Sequence, residues 1–204
     1  MTIRVHRGDL PNDLDLGSLV AIDTETLGLN LRRDRLCLVQ LSRGDGSADL
    51  VQLPSDINAA PNLQKLLADR AVTKLFHFGR FDIGVLYHRL GVLAGPVYCT
   101  KIASRLARTY TDRHGLKDLV KELLGIDLSK QQQSSDWGAE LLSDAQCAYA
   151  ASDVIHLHAV KDKLDLMLAR ENRIAIAEAC FSFLPYRSQL DLMGWPDVDI
   201  FAHS

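Results

Sequence analysis

Residues 18–53 constrain the fold more than any other stretch. SLVAIDTE (18–25) is an apolar strand run that ends in acids. A turn around Gly28-Leu29-Asn30 follows, and RLCLVQLSR (35–43) then alternates apolar and polar residues. Gly44-Asp45-Gly46 comes next, and its Asp45-Gly46 dipeptide is a hairpin signal. ADLVQL (48–53) reads as the returning strand. The chain therefore opens with an antiparallel meander of three strands.

Beyond the meander, helices alternate with short strands and then take over. Residues 62–70 read as a short helix after Pro61, TKLFHF (73–78) as a fourth strand, and Gly79 to Leu90 as a helix closed by Gly91. VYC (97–99) is a candidate fifth strand. Thr100 can cap a helix through Arg108, with Lys101, Arg105 and Arg108 at i, i+4 and i+7. GLKDLVKELLG (115–125) has the pattern of an amphipathic helix stopped by Gly125. Ser143 caps a long helix expected from Asp144 to about Arg170, and a last helical stretch over 172–192 is expected to break or restart at Pro185. The expected class is α/β: a mixed five-stranded sheet flanked by helices, with a helical C-terminal part.

Composition places this in a folded, non-membrane context. The chain has 204 residues, 47% hydrophobic and 24% charged, enough to bury a core without staples. We expect one domain over 1–204, its core about 15–170 and a helical extension about 171–204. No apolar run reaches the ~18 residues of a membrane span, and MTIRVHRGDLPND lacks the marks of a signal peptide. Cys37, Cys99, Cys147 and Cys180 lie far apart in apolar stretches with no CxxC spacing, so buried reduced thiols are expected, in keeping with a cytoplasmic location. The net charge of −3 argues against gripping long nucleic acid through many phosphates. If nucleic acid is the substrate, few phosphates are contacted and metal ions carry much of the positive charge.

Three acidic patterns suggest where such ions would sit. Asp23 and Glu25 are two apart in a strand and so face the same side. Two carboxylates so placed repel unless a cation lies between them, and hard oxygen donors suit Mg²⁺ or Mn²⁺. Asp82 lies early in the helix after the fourth strand, where an acid also favours the helix dipole. Tyr149 and Asp153 are four apart on one helix face, among the small residues Ala148, Ala150, Ala151 and Ser152, which would let that helix pack close to a sheet. Each pattern alone has an ordinary explanation: a solvated strand end, a helix-start acid, a tyrosine bonded to a neighbour. Together, four acids and a tyrosine on elements that can meet at one sheet edge make the donor set for two ions ~3.5–4 Å apart, an arrangement used to displace phosphodiesters.

AIDTE (21–25), HFGRFD (77–82) and YAASD (149–153) resemble the three exonuclease motifs of the DEDD superfamily, tyrosine subtype. The histidine subtype carries its histidine five residues before the last Asp, a position held here by Ala148. CTKIASRL (99–106), HGLKDLVKELLGIDL (114–128) and SSDW (134–137) are similar to ribonuclease D catalytic-domain segments, so the resemblance spans about 15–170. Ribonuclease D carries further helical nucleic-acid-binding domains, and this chain is expected to end before them. The length and the MTIRVHRGDLP opening most resemble the nano-RNase C group, which degrades very short RNAs, especially dinucleotides, and forms ring-like octamers. The resemblance implies a ribonuclease H-like fold and 3′→5′ hydrolysis of short single-stranded RNA to nucleoside 5′-monophosphates. It also implies two divalent ions held by Asp23, Glu25, Asp82 and Asp153. Asp23, Glu25 and Asp153 would hold the first, Asp23 would bridge to the second, and Asp82 would support that second ion. Tyr149 would place the attacking water. For substrate contacts it suggests Thr24 near the terminal nucleotide, Leu29 as a wedge between two bases and His77 near the terminal ribose. Read as residues alone, Leu29 could equally pack inward and His77 could be a plain strand-end histidine.

Other features divide between two meanings. The Lys101/Arg105/Arg108 face could hold phosphates or be a solvated stripe. Trp137 could stack on a base or pack in the core. His156 and His158 do not share a helix face, which argues against joint metal binding, and His114 reads as a loop residue. Ile174, Ile176, Ala177, Cys180, Phe181, Phe183 and Leu184 spread round the last helix as if buried on several sides, as a subunit contact would bury it. GWPDVDIFAHS (194–204) could dock on a neighbour or on its own domain. Two functional alternatives stay open: ribonuclease D-like trimming of structured RNA ends, and an inactive nucleic-acid-binding scaffold. DNA as substrate is also open, because no residue read here fixes recognition of the 2′-OH.

Overall fold

The computed structural model describes residues 2–56, 59–129, 131–132 and 134–203; Met1 and Ser204, the ends of the two terminal segments discussed above, lie outside them. Thr2–Arg7 forms a strand, β1, so the sheet has six described strands rather than the expected five. This strand escapes pattern reading because it lies at the sheet edge. Its residues are half-buried or exposed, and it lacks the clean alternation of a strand with one buried face. It pairs parallel with the last strand of the meander, Val5 opposite Leu50.

The meander forms as read: β2 (Leu19–Thr26), β3 (Leu36–Ser42) and β4 (Ser47–Gln52), paired antiparallel. Its hairpin turn has Gly44 and Gly46 at φ 86° and 81°, which glycine adopts without steric cost. Every residue of β3 is buried, as a central strand demands. Helix α1 (Pro61–Ala68) leads to β5 (Thr73–Phe76), then α2 (Arg80–Leu90), β6 (Val97–Cys99) and α3 (Thr100–Ala107). The strand order is β1-β4-β3-β2-β5-β6, and β5 pairs parallel with both neighbours. Cys99, not Thr100, occupies the cap position of α3. The Thr100 hydroxyl instead donates to the carbonyl of Phe76, at 3.2 Å.

Helix α4 (Leu116–Leu124) ends at Gly125 with φ 72°, as read. The expected helix 144–170 divides into α5 (Asp144–Ser152) and α6 (Leu157–Arg170). Ser143 does cap α5, in a full capping box with Gln146. The break at 153–156 has no Gly or Pro to announce it. Val154 and Ile155 both donate backbone N–H to the Ala151 carbonyl, and His158 Nε2 meets the Leu19 carbonyl at 3.0 Å, so contact with β2 sets where α6 begins. The last helix, α7 (Ile174–Met193), runs through Pro185 without breaking. Its buried Phe181 stacks on Tyr98, ring centroids 4.4 Å apart, and Ser188 Oγ donates to the Arg80 carbonyl at 2.8 Å. This packing on β6 and α2 outweighs the proline's local penalty. The helix is not buried all round, since Ile174, Ile176 and Phe183 are exposed. The tail docks on its own chain: Phe201 lies 5.8 Å from Phe183, and Arg187 donates to the carbonyls of Trp195 and Pro196. The four cysteines are free. Among the described residues no helix is long and apolar enough to cross a membrane.

Candidate active site

The pairing of β2 with β5 stops at Ala21 opposite Leu75. The last residues of β2 therefore run past the end of β5 with one edge open. At that point β2 has an antiparallel neighbour on one side and a parallel one on the other, the kind of discontinuity that leaves a crevice at strand ends. Asp23 and Glu25 lie on this segment. The chain leaving β5 turns into α2 and brings Asp82 to the open edge, where the Thr24 hydroxyl donates to Asp82 Oδ1 at 2.6 Å. Asp82 is only 4% exposed. From the other side, α5 ends at Asp153. One carboxylate oxygen from each of Asp23, Glu25 and Asp153 lies within 4.8 Å of the others. The three acidic patterns of the sequence thus meet at one place.

Burial and crowding push these carboxyls up. Asp23 lies well above the ordinary carboxylate range, first through desolvation and then through the charges of Asp82, Asp153 and Glu25. Glu25 rises to about 8 through desolvation and the charges of Asp153 and Asp82. Desolvation takes Asp82 to about 7 against the pull of Thr24. Desolvation, with the charge of Asp82, takes Asp153 to about 7 against the pull of the Tyr149 hydroxyl. Desolvation, then the charges of Asp153, Glu25 and Asp23, pushes the Tyr149 phenol up and keeps it protonated beside Asp153. Among the described residues no Lys, Arg or His forms an ion pair with any of the four acids. A converging, half-buried, oxygen-only donor set without a basic partner fits hard divalent cations.

The flanking residues sort themselves out. Leu29 is 85% exposed, so it does not pack inward. Its loop is built to display it: Asp34 accepts from the Asn30 backbone N–H at 2.9 Å, and Thr26 Oγ1 donates to the Gly28 carbonyl at 2.5 Å. A Cβ on Gly28 would meet the Asp34 carboxylate at 2.3 Å, so a side chain there would push that carboxylate from its place in the loop. His77 Nδ1 lies 2.9 Å from Thr100 Oγ1, and desolvation, then Lys101, lowers its pKa to about 3, so the ring is neutral. Thr24 is buried, its hydroxyl engaged with Asp82.

The basic face of α3 does not exist as drawn. Arg108 is fully buried, donating to Ser104 Oγ at 2.9 Å, the Arg113 carbonyl at 2.8 Å and the Glu122 carboxylate. It is a structural cation and not a phosphate contact. Arg105 is exposed, and Lys101 lies over the Phe78 ring at 4.1 Å. Trp137 is buried, so it packs rather than stacks on a base. His114 sits in a loop, Nδ1 2.8 Å from Ser104 Oγ.

A family model described as 3′-5′ exonuclease matches residues 9–169. The chain belongs to the 3′-5′ exonuclease family. It is 38% identical over 156 residues to ribonuclease D of Granulibacter bethesdensis, which covers 76% of this chain and 39% of that relative; it therefore spans well under half of that curated protein. Several solved structures match along the whole of both chains, among them two of one protein. Brucella melitensis NrnC with bound Mg²⁺ is 61% identical with TM-score 0.96, and Brucella melitensis NrnC bound to pGG is 62% identical with TM-score 0.97. The mixed sheet flanked by helices is accordingly the ribonuclease H-like exonuclease fold.

Within this family frame, sequence reading passed over Phe78. Its φ of 63° is costly for a bulky side chain, yet it is 46% exposed and lines a cavity of about 520 Å³ with Leu29, Leu31 and Phe81. Strained residues held in the open mark functional sites, but φ leaves no trace in composition. The cavity walls do not include the acids; they adjoin them through Leu29, four residues past Glu25, and Phe78, four before Asp82. Gln40 was also missed. It is fully buried opposite Asp23 in the β2–β3 register, with its amide 3.5 Å from Glu25 Oε1.

Proposed function

We propose that this chain hydrolyses short single-stranded RNA, dinucleotides above all, from the 3′ end to nucleoside 5′-monophosphates. The observation that carries the reading is the convergence of carboxylates from β2, α2 and α5 beside an apolar cavity bearing exposed Leu29 and Phe78. Asp23, Glu25 and Asp153 would hold one divalent ion, and Asp82, with Asp23, a second. When bound, Mg²⁺ or Mn²⁺ supplies the positive charge that offsets the crowded carboxylates and activates water at neutral pH. Tyr149 keeps its proton and orients the water toward the terminal phosphorus. The bond from phosphorus to the 3′ oxygen of the preceding nucleotide breaks, and that oxygen takes up a proton. Leu29 and Phe78 offer apolar faces to the bases, Thr24 holds Asp82 in place beside the terminal nucleotide, and neutral His77 presents a ring nitrogen toward the terminal ribose.

The whole-length likeness to a protein solved with pGG supports a substrate of two nucleotides. The ribonuclease D relatives support the second reading, trimming of longer structured RNA. A length series separates them. 5′-labelled RNAs of two to about twenty nucleotides are incubated with Mg²⁺ or Mn²⁺ and their rates compared, with the matching DNA dinucleotide as a further arm. The short-RNA reading expects the dinucleotide to be fastest; preference for the longest RNA rejects it. We also infer self-association, octameric by resemblance, with the apolar side chains of Ile174, Ile176 and Tyr186 exposed on α7 as candidate contacts. Light scattering reads the mass, and a monomer counts against it. Four free thiols agree with work in the reducing cytoplasm.

A further inference from the structure

Trp137 lies in the loop between α4 and α5, yet it is 2% exposed and its ring stands 6.0 Å from that of Tyr149, tilted by 37°. Among the described residues its indole N–H has no hydrogen-bond partner. Burying an unmet donor is a cost with no polar return, so the fold draws on the ring face of this side chain. The loop that presents the ring is tied down on three sides. Gln146 of α5 donates to the Asp136 carbonyl at 3.1 Å, and Gln52 of β4 donates to the Ala139 carbonyl at 2.8 Å. A side chain added at Gly138 would meet Leu27, just past β2, at 2.9 Å. The indole is thus held between β4, the residue that follows β2, and α5, the helix that carries Tyr149, while Tyr149 itself is half-buried.

We propose that Trp137 is a positioning residue for Tyr149: its buried ring, packed on the phenol, holds the hydroxyl at Asp153, where the attacking water is aimed. The inference rests on the water-placing role given to Tyr149 above. A phenol backed by a fixed ring can pivot little about its side-chain bonds. With that wall removed the ring gains freedom, and misplacement of a catalytic group by about 1 Å lowers rates by as much as ~100-fold.

The test is a double-mutant cycle on dinucleotide hydrolysis with wild type, W137L, Y149F and W137L/Y149F, plus W137F as the conservative variant. The rate constant, KM and the Mg²⁺ concentration for half-maximal activity are read for each, and circular dichroism confirms folding. W137L is expected to lower kcat by about 10-fold or more, with KM and Mg²⁺ half-saturation within about twofold. W137F is expected to recover most of the loss. Introduced into the Y149F background, W137L should change kcat by less than about twofold, because the hydroxyl it positions is already gone. An equal loss of kcat in both backgrounds, or an effect on KM or Mg²⁺ in place of kcat, overturns the proposal. If Y149F is impaired and W137L is not, this inference alone fails; if Y149F is unimpaired, the tyrosine's role fails with it. Should W137L not fold, W137M takes its place in the cycle with the same expected outcomes.

Discussion

Asp82→Asn should make the metal-free protein more stable at neutral to alkaline pH while stopping hydrolysis. The Asp82 carboxyl, buried and bonded to Thr24, holds its proton to about pH 7, against an ordinary value of 3.8. Between those values the folded chain binds more protons than the unfolded one, so stability falls as pH rises through that window and stays low above it. The full displacement corresponds to about 4 kcal/mol, an upper figure because Asp82 titrates together with the neighbouring carboxyls. Asparagine keeps an oxygen for the Thr24 hydroxyl and removes the charge. The expected gain at pH 8 is about 2–4 kcal/mol, which for a chain of this size raises Tm by about 5–15 °C. At pH 4.5 most of that penalty is already relieved and the gain shrinks to about 1 kcal/mol or less. Melting curves by circular dichroism in EDTA at the two pH values measure both numbers. Adding Mg²⁺ at pH 8 should then stabilise the wild type more than the variant. A variant that melts lower than wild type at pH 8, or gains equally at both pH values, would refute the claim that crowded carboxylates strain the empty-handed fold.

Four other outcomes follow from the same geometry. Tyr149→Phe should lower kcat by about 100-fold or more and leave Mg²⁺ half-saturation unchanged; a parallel loss of metal affinity in a titration would contradict its place outside the donor set. Leu29→Ala, at an exposed tip, should leave Tm almost unmoved while raising the dinucleotide KM by about 5-fold or more, read by steady-state kinetics. Phe78→Gly should raise that KM without a matching loss of stability, since glycine accepts the φ of 63° that strains phenylalanine; a large drop in Tm argues that Phe78 is only packing. Arg108→Met should cost about 3 kcal/mol or more in urea unfolding, because Glu122, Ser104 and the Arg113 carbonyl lose their partner, and activity should track the folded fraction.

What could be read in the sequence was whatever leaves a periodic or chemical mark. The alternation of 35–43 and the Gly44-Asp45-Gly46 turn disclosed the meander, and the spacings of Asp23/Glu25 and Tyr149/Asp153 put the right pairs on common faces. What could not be read depends on neighbours distant in the chain. β1 hides because an edge strand needs little burial. The break after Asp153 follows from contact between His158 and β2, and the persistence of α7 through Pro185 from packing on α2 and β6. Arg108 matches the spacing of a solvated stripe, but a 3.6-residue period does not say which face meets α4. Phe78 carries its signal in a backbone angle. Nor does the spacing of the acids disclose that the β2–β5 pairing stops at Ala21 and opens the crevice in which they meet.

The central claim is that Asp23, Glu25, Asp82 and Asp153 act as one cation-holding centre for phosphodiester hydrolysis. The direct measurement is single-turnover cleavage of a 5′-labelled RNA dinucleotide by purified wild type and D23N, each with Mg²⁺ and with EDTA. The account predicts nucleoside 5′-monophosphate from the wild type with Mg²⁺ and none in the other three reactions. Product formed equally by D23N, or absent from the wild type with both Mg²⁺ and Mn²⁺, would contradict it.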